Sequence, residues 1–167
     1  MVKIVRQNFK ENSKKFMEVK RKLKEVLGDE PAIEHVGSTA IPNMYGKNIV
    51  DILVGVNRDD IEKTAEEIDK LGYFRGKTHN SGDRIFFATK EEETGSGDIH
   101  IHLAKKDSER YRNFLLLRKY LLENPEEAKR YAKIKQDISK MDRGSYKATK
   151  SPYVDKLLDS ARTKYQK

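Results

Sequence analysis

Three observations predict a mixed α/β fold. Two β-branched runs bracket a small Gly-Ser-Thr turn, amphipathic helical spacing recurs on both sides of them, and one strand of strict polar and apolar alternation follows past mid-chain. The expected architecture is α/β in the broad α+β sense, a mixed sheet flanked by helices. Residues 1–104 would form the core and residues 105–167 a basic helical segment of the same domain. One domain is expected because 167 residues suffice for one proper core and not for two.

In chain order, Phe16, Val19, Leu23, Val26 and Leu27 share helical spacing, with Asn12 or Ser13 as N-cap and Gly28 as the stop. Ala32–Val36 reads as a short strand, Gly37-Ser38-Thr39 as a turn, and Ile49–Val56 as a second strand after an irregular stretch through Pro42 and Gly46. Asp59 and Asp60 open a helix with Ile61, Ala65, Ile68 and Leu71 inward and Gly72 as its end. Tyr73–Lys77 and Arg84–Lys90 read as strands joined by the turn His79–Asp83, and Glu91–Gly97 as a loop. In Asp98–Leu103, alternation sends Asp98, His100 and His102 to one side and Ile99, Ile101 and Leu103 to the other. Helices are then expected over Ser108–Glu123, with Leu121 and Leu122 among its apolar positions, over Pro125–Met141, and from Ser151-Pro152 onward. The tyrosines at 111, 120, 131 and 153 fall beside aliphatics at helical spacing and read as packing.

Composition narrows the chemistry. There is no cysteine, which removes disulfides, thiolate catalysis and zinc-thiolate sites, so a metal would have to use His, Asp or Glu. No run is long enough to cross a bilayer and no signal-peptide core opens the chain, so a cytoplasmic protein with no membrane partner is expected. The net charge of +8 is uneven: residues 1–104 carry 17 basic and 18 acidic side chains, and residues 105–167 carry 18 and 9. Such asymmetry suits an anionic partner. A nucleotide or other small phosphorylated molecule is favoured over nucleic acid, which the basic C-terminal part leaves open.

Asp51 is the first residue to explain, because a carboxylate inside an otherwise apolar strand is costly to bury unless a cation pairs with it. Gly37-Ser38-Thr39 suits a phosphate, since glycine lets backbone N–H groups come close to a ligand. His100 and His102, two apart on a strand, can meet one metal ion. His35, two before Gly37, is expected in the same pocket because Glu34 alternates away from it.

The pairing of Glu34-His35-Val36-Gly37-Ser38-Thr39-Ala40-Ile41-Pro42 with Lys47-Asn48-Ile49-Val50-Asp51-Ile52-Leu53-Val54 resembles the GrpB family. The strand Ile99–Leu103, the helix Phe114–Leu121 with Arg118, and the Tyr146–Lys150 stretch resemble the family's later blocks, so the likeness runs from Phe9 to Ala161. Asn43 stands where the family usually has glycine, and Asn48 where it often has proline. The resemblance implies a nucleotidyltransferase-like fold, in which a Gly-Ser turn follows one strand and an Asp-x-Asp pair lies on the next. Gly37-Ser38 and Asp51 match those places, but Ile49 and Leu53 flank Asp51, so one carboxylate of the pair is missing. His100 or His102 falls where the superfamily presents its third acid.

The resemblance implies three functions. In a nucleotidyltransferase, Gly37, Ser38 and Thr39 would cradle a triphosphate, and Asp51, His100 and His102 would hold one divalent ion such as Mn, Zn or Mg. Lys47, Arg84 or Arg118 would then stabilise charge developing on phosphate. Alternatively the chain is a non-catalytic nucleotide- or metabolite-binding module, or a mononuclear metal-dependent phosphoester hydrolase.

Overall fold

The computed structural model describes residues 1–77, 80–91 and 97–166. Its strands are β1 (Val5–Arg6), β2 (Ala32–Val36), β3 (Tyr45–Gly46), β4 (Val50–Val56), β5 (Phe74–Arg75), β6 (Arg84–Ala88) and β7 (Ile99–Lys105). Its helices are α1 (Phe9–Leu27), α2 (Ile61–Lys70), α3 (Glu109–Glu123), α4 (Pro125–Asp137) and α5 (Arg143–Tyr165). The expected mixed sheet is present, in the order β2-β4-β7-β6-β5, and β1 pairs with β3 in a separate ribbon. At its centre β4 and β7 run parallel, with Asp51 opposite His100 and Leu53 opposite His102; β2 and β6 flank them antiparallel.

Both faces of this sheet are covered, which is why β4 is apolar at every position except Asp51. On one face Ile52, Val54, Ile101, Leu103 and Phe87 pack against Phe16, Val19 and Leu23 of α1 and Ala65 and Ile68 of α2. On the other, Val36, Leu53 and Ala104 lie under Tyr111, Phe114 and Leu115 of α3. Helices α3, α4 and α5 then share their own cluster, in which Tyr120, Leu121, Tyr131, Ala132, Leu157 and Ala161 enclose Ile41 and Met44. Burial of Tyr120 and Tyr131, with Tyr111 and Tyr153 partly buried beside them, bears out the reading of these rings as packing.

Several boundaries differ from expectation. Helix α1 starts at Phe9, because the Asn8 side chain accepts from the Glu11 N–H; Asn12 is inside the helix, buried, and donates to Asn48 Oδ1 at 2.9 Å. Asn48 has φ 61°, a value closed to proline, and Asn43 has φ 59°, a value that suits the glycine usual in the family. Val26, Leu71 and Leu122 are exposed, Leu71 because α2 ends at Lys70 and leaves it as the cap. The predicted strand Tyr73–Lys77 shrinks to two residues, and the histidine strand begins at Ile99, one residue late. Of the two predicted connections, His79 and residues 92–96 lie outside the described residues. The largest difference is α5, which starts at Arg143 rather than at Ser151. Asp142 caps it by accepting from the Ser145 N–H at 3.0 Å, so Pro152 lies within the helix, where it cannot donate to the Ala148 carbonyl and its ring crowds that group. Burial of Tyr146 before the proline and of Leu157, Leu158 and Ala161 after it offsets that loss.

Gly55 sets how closely α3 approaches the sheet: a Cβ there would overlap the Tyr111 ring and meet Lys106 Cγ at 3.1 Å. Gly55→Ala should therefore destabilise the protein by about 1–3 kcal/mol, a drop of several degrees in Tm. Adding Tyr111→Leu should recover part of the loss; thermal melts of the single and double variants check this.

Candidate functional site

The site is built from the end of β2 and the start of β4. Val36 pairs with Asp51 across these strands, which brings the next residue, Gly37, directly against the Asp51 carboxylate. Gly37 has φ +74°, and a Cβ there would sit 2.5 Å from Asp51 Oδ2, so glycine is required twice over. Ser38 opens a short 3-10 turn, Ser38–Ala40, and its Oγ lies 3.1 Å from the side-chain amide of Gln7.

Asp51 is held by a chain of side chains across the sheet. Arg84 Nη2 lies 3.2 Å from His102 Nδ1, and His102 Nε2 lies 2.9 Å from Asp51 Oδ1. A guanidinium only donates, so Nδ1 must accept; the proton is then on Nε2, which donates to Asp51. Burial opposes the Asp51 charge, but the hydrogen bond from His102 and the imidazoles around it outweigh burial and hold the group below the usual carboxylate range. His102, buried under Phe114 and beside Phe86, is pushed below its ordinary value mainly by burial, against the pull of Asp51. At neutral pH the arrangement is thus a cationic Arg84, a neutral His102 and an ionised Asp51. His100 Nδ1 lies farther from Asp51 Oδ1, at 3.7 Å.

The structure brings together Gly37, Ser38, Lys47, Asp51, His100, His102 and Arg118 around one cavity of about 750 Å³. Three predicted residues are elsewhere. His35 is on the opposite face of β2, stacked on Phe16 with ring centroids 4.8 Å apart, and its Nε2 lies 2.9 Å from Thr39 Oγ1. Burial pushes His35 down to about 4, so it is a neutral packing residue. Thr39 is buried, 1% exposed, with its hydroxyl against His35 and not toward the cavity. Alternation had put Glu34 and His35 on opposite sides correctly; the choice of side was wrong, because α1 covers one face and α3 the other. Arg84 is buried behind His102, with its Nε lacking a hydrogen-bond partner among the described residues. Arg118 reaches the cavity wall but donates to Glu34 Oε2 at 2.7 Å and to the His35 carbonyl at 2.9 Å, which ties α3 to β2.

Further cavity-lining side chains were not singled out from the sequence as site residues. Arg110 and Asn113 from α3, Lys135 and Tyr131 from α4, and Arg143, Tyr146 and Lys150 from α5 line the same cavity. The excess of basic residues after position 104 was the signal, and it pointed to the right part of the chain without selecting residues. Lys135 is only 2% exposed. Asp98, by contrast, pairs with Lys15 at 2.6 Å and accepts from Thr89, as a loop-pinning residue does.

The residues fit a divalent ion poorly. Among the described residues no group of three His, Asp or Glu side chains is arranged to hold one. Ile49 and Leu53 supply no second carboxylate, and the His102 nitrogens are committed to Arg84 and Asp51. No helix among the described residues is long and apolar enough to cross a membrane.

Comparison with known proteins places this site in context. The sequence profile of the GrpB protein family matches residues 2–160. The UPF0157 protein YqkA of Bacillus subtilis is 35% identical over 127 residues, 74% of this chain; the match spans 36% of YqkA's length. The crystal structure of the conserved protein GrpB from Enterococcus faecalis superposes with a TM-score of 0.83 at 26% identity, covering 99% of this chain and 100% of that one. A c-di-GMP synthase, the STING-associated CdnE of Capnocytophaga granulosa, superposes with a TM-score of 0.55 at 16% identity, over 81% of this chain and 54% of its own, which shows a shared nucleotidyltransferase-like fold. With the profile matched almost from end to end and the fold retained over the whole length, the chain belongs to the GrpB family.

Proposed function

We propose that this chain binds a phosphorylated small molecule, such as a nucleotide, in the cavity between the Gly37-Ser38 turn and helices α4 and α5, as a non-catalytic module. One observation carries the reading: six cationic side chains, Lys47, Arg110, Arg118, Lys135, Arg143 and Lys150, converge on that single cavity. Lys135 is buried, Arg118 and Lys150 are half-buried, and Lys47, Arg110 and Arg143 are exposed around them; gathering so many like charges about one cavity is unfavourable unless an anion completes the site. Phosphate would take hydrogen bonds from the turn at Ser38 and from the lysines. Asp51, whose carboxylate keeps about a quarter of its side-chain surface exposed (24%), would accept from a hydroxyl or amino group elsewhere on the ligand. A mononuclear metal enzyme, a nucleotidyltransferase or a phosphoester hydrolase, is the second reading. It is favoured by the meeting of Asp51, His100 and His102, and it requires His102 to give up its bond to Asp51.

Calorimetric titration with ATP, AMP and adenosine tests the first reading. Both phosphorylated compounds should bind and adenosine should not, and Ser38→Ala should weaken binding by roughly five- to tenfold, the worth of one hydrogen bond to a charged group. Failure of every phosphorylated compound to bind would sink it. Titration with Mn or Zn addresses the second reading: wild type and His102→Ala should give the same weak heats, whereas tight binding of about one ion per chain that vanishes in the variant would establish the metal site.

The buried lysine also sets a pH dependence. Burial first, then Lys150, pushes Lys135 down to about 7 from 10.5. Between those values the unfolded chain carries a proton on this amine that the folded chain lacks, so stability must rise with pH. Lys47 and Lys150 are lowered as well, burial again leading, and act in the same direction. Tm should climb from about pH 7 to about pH 9.5 in the free protein, and Lys135→Met should flatten the climb.

A further inference from the structure

Among the residues that line the cavity is a grouping of lysines and tyrosines that the Gly37-Ser38 turn and Asp51 do not explain. Lys47 follows β3, Lys135 is on α4, and Tyr146 and Lys150 are one helical turn apart on α5. The amines of Lys47 and Lys150 lie 5.3 and 5.7 Å from the centre of the Tyr146 ring, and that of Lys135 lies 4.5 Å from the centre of Tyr131. Among the described residues none of these three lysines has a carboxylate within 4.0 Å. Lys135 is 98% buried on the cavity wall, and aromatic faces alone do not compensate an ammonium so far from water. An unpaired amine buried to that degree and aimed into a cavity is a built receptor for an anion.

The charge on the wall indicates what kind of anion. The six cations face three carboxylates, Asp51, Glu109 and Asp155, and Arg118 is further offset by Glu34 outside the cavity. That leaves an excess of three positive charges on the wall; a phosphate monoester brings about two negative charges, whereas a di- or triphosphate brings about three or four and matches it. A magnesium ion on that chain would meet the lysines where it needs anionic ligands, and it would compete with them for the same oxygens. We propose that Lys47, Lys135 and Lys150, arranged around Tyr131 and Tyr146, form a seat for the terminal phosphates of a di- or triphosphate, bound as the free anion without a divalent ion. This inference rests on the phosphorylated-ligand reading above and narrows it to a ligand class. The two tyrosines serve as neutral donors: burial raises both hydroxyls, that of Tyr146 to about 12, so they stay protonated beside the phosphates.

The test uses inorganic probes on the full chain, titrating orthophosphate, pyrophosphate and tripolyphosphate by calorimetry in EDTA and again in excess magnesium. Tripolyphosphate should bind in EDTA at least about tenfold tighter than orthophosphate, and magnesium should weaken it or leave it unchanged. Lys135→Met, which keeps the side-chain length and removes the buried charge, should melt no lower than wild type without ligand and lose about tenfold or more in affinity for tripolyphosphate. Lys150→Met should lose affinity similarly, and Lys129→Met, an exposed lysine on α4 that does not line the cavity, should change nothing. Orthophosphate binding as tightly as tripolyphosphate, a requirement for magnesium, or equal losses in Lys129→Met and Lys135→Met would each overturn the seat while leaving phosphate recognition standing. If no phosphate species binds, the underlying reading falls as well.

Discussion

The contact between Asp51 and Gly37 is the constraint on which the rest of the site depends. A carboxylate at that point of β4 can exist only because the neighbouring residue has no Cβ and adopts a φ that side chains avoid. The same closeness fixes the register of β2 against β4, and with it the direction in which the turn leaves the sheet. The charge is then kept by His102 and, one bond further, by Arg84, so three strands share the work of holding one acid. An acid so heavily supported is oriented, with one oxygen facing His102 and the other Gly37.

Under the proposed non-catalytic reading, that support stands where a nucleotidyltransferase would need open metal ligands. In two-metal chemistry neighbouring carboxylates space and neutralise the ions. Here Ile49, just before β4, and Leu53 within it stand at the alternate positions, and the histidine nearest the acid spends its proton on it. Positive charge lines the cavity from the helices, through Lys135, Arg143 and Lys150. In the proposed reading those side chains, on the opposite side of the cavity from β4, take over the neutralisation that metal ions supply in two-metal chemistry.

How much of this was legible in the sequence depends on whether a local pattern or a distant partner decided it. Asp51 could be singled out because it breaks an apolar run, and Gly37-Ser38 because its small residues follow a strand; both are signals contained within a few residues. The face on which His35 points was not legible, since β2 is covered on both sides and alternation separates the faces without naming them. Helix α5 was misread because Ser151-Pro152 makes a better local start than Asp142-Arg143, and tertiary burial of Tyr146 overrode that preference. Lys135 gave no signal at all: among its neighbours Lys133 and Lys129 it reads as one more solvated lysine, and only the packing of α4 against β3 buries it.

The two halves of the chain therefore contribute different kinds of information to one cavity. The sheet contributes geometry, because main-chain register places Gly37, His100 and His102 around Asp51, with His102 within hydrogen-bonding distance. The helices contribute charge, and their hold on the sheet is itself electrostatic in part, since Arg118 on α3 bonds both the Glu34 side chain and the His35 carbonyl of β2. Arg118 thereby links the turn's leading strand to the helix that carries Arg110 and Asn113 to the cavity. It follows that a change at Arg118 would be felt as a loss of alignment between the geometric and the charged walls, even though its own guanidinium is already satisfied by protein groups. Arg118 thus acts by alignment, in contrast to Lys135, which has no carboxylate within 4.0 Å among the described residues, feels Asp51 only at longer range, and is the amine that the proposed anion would meet.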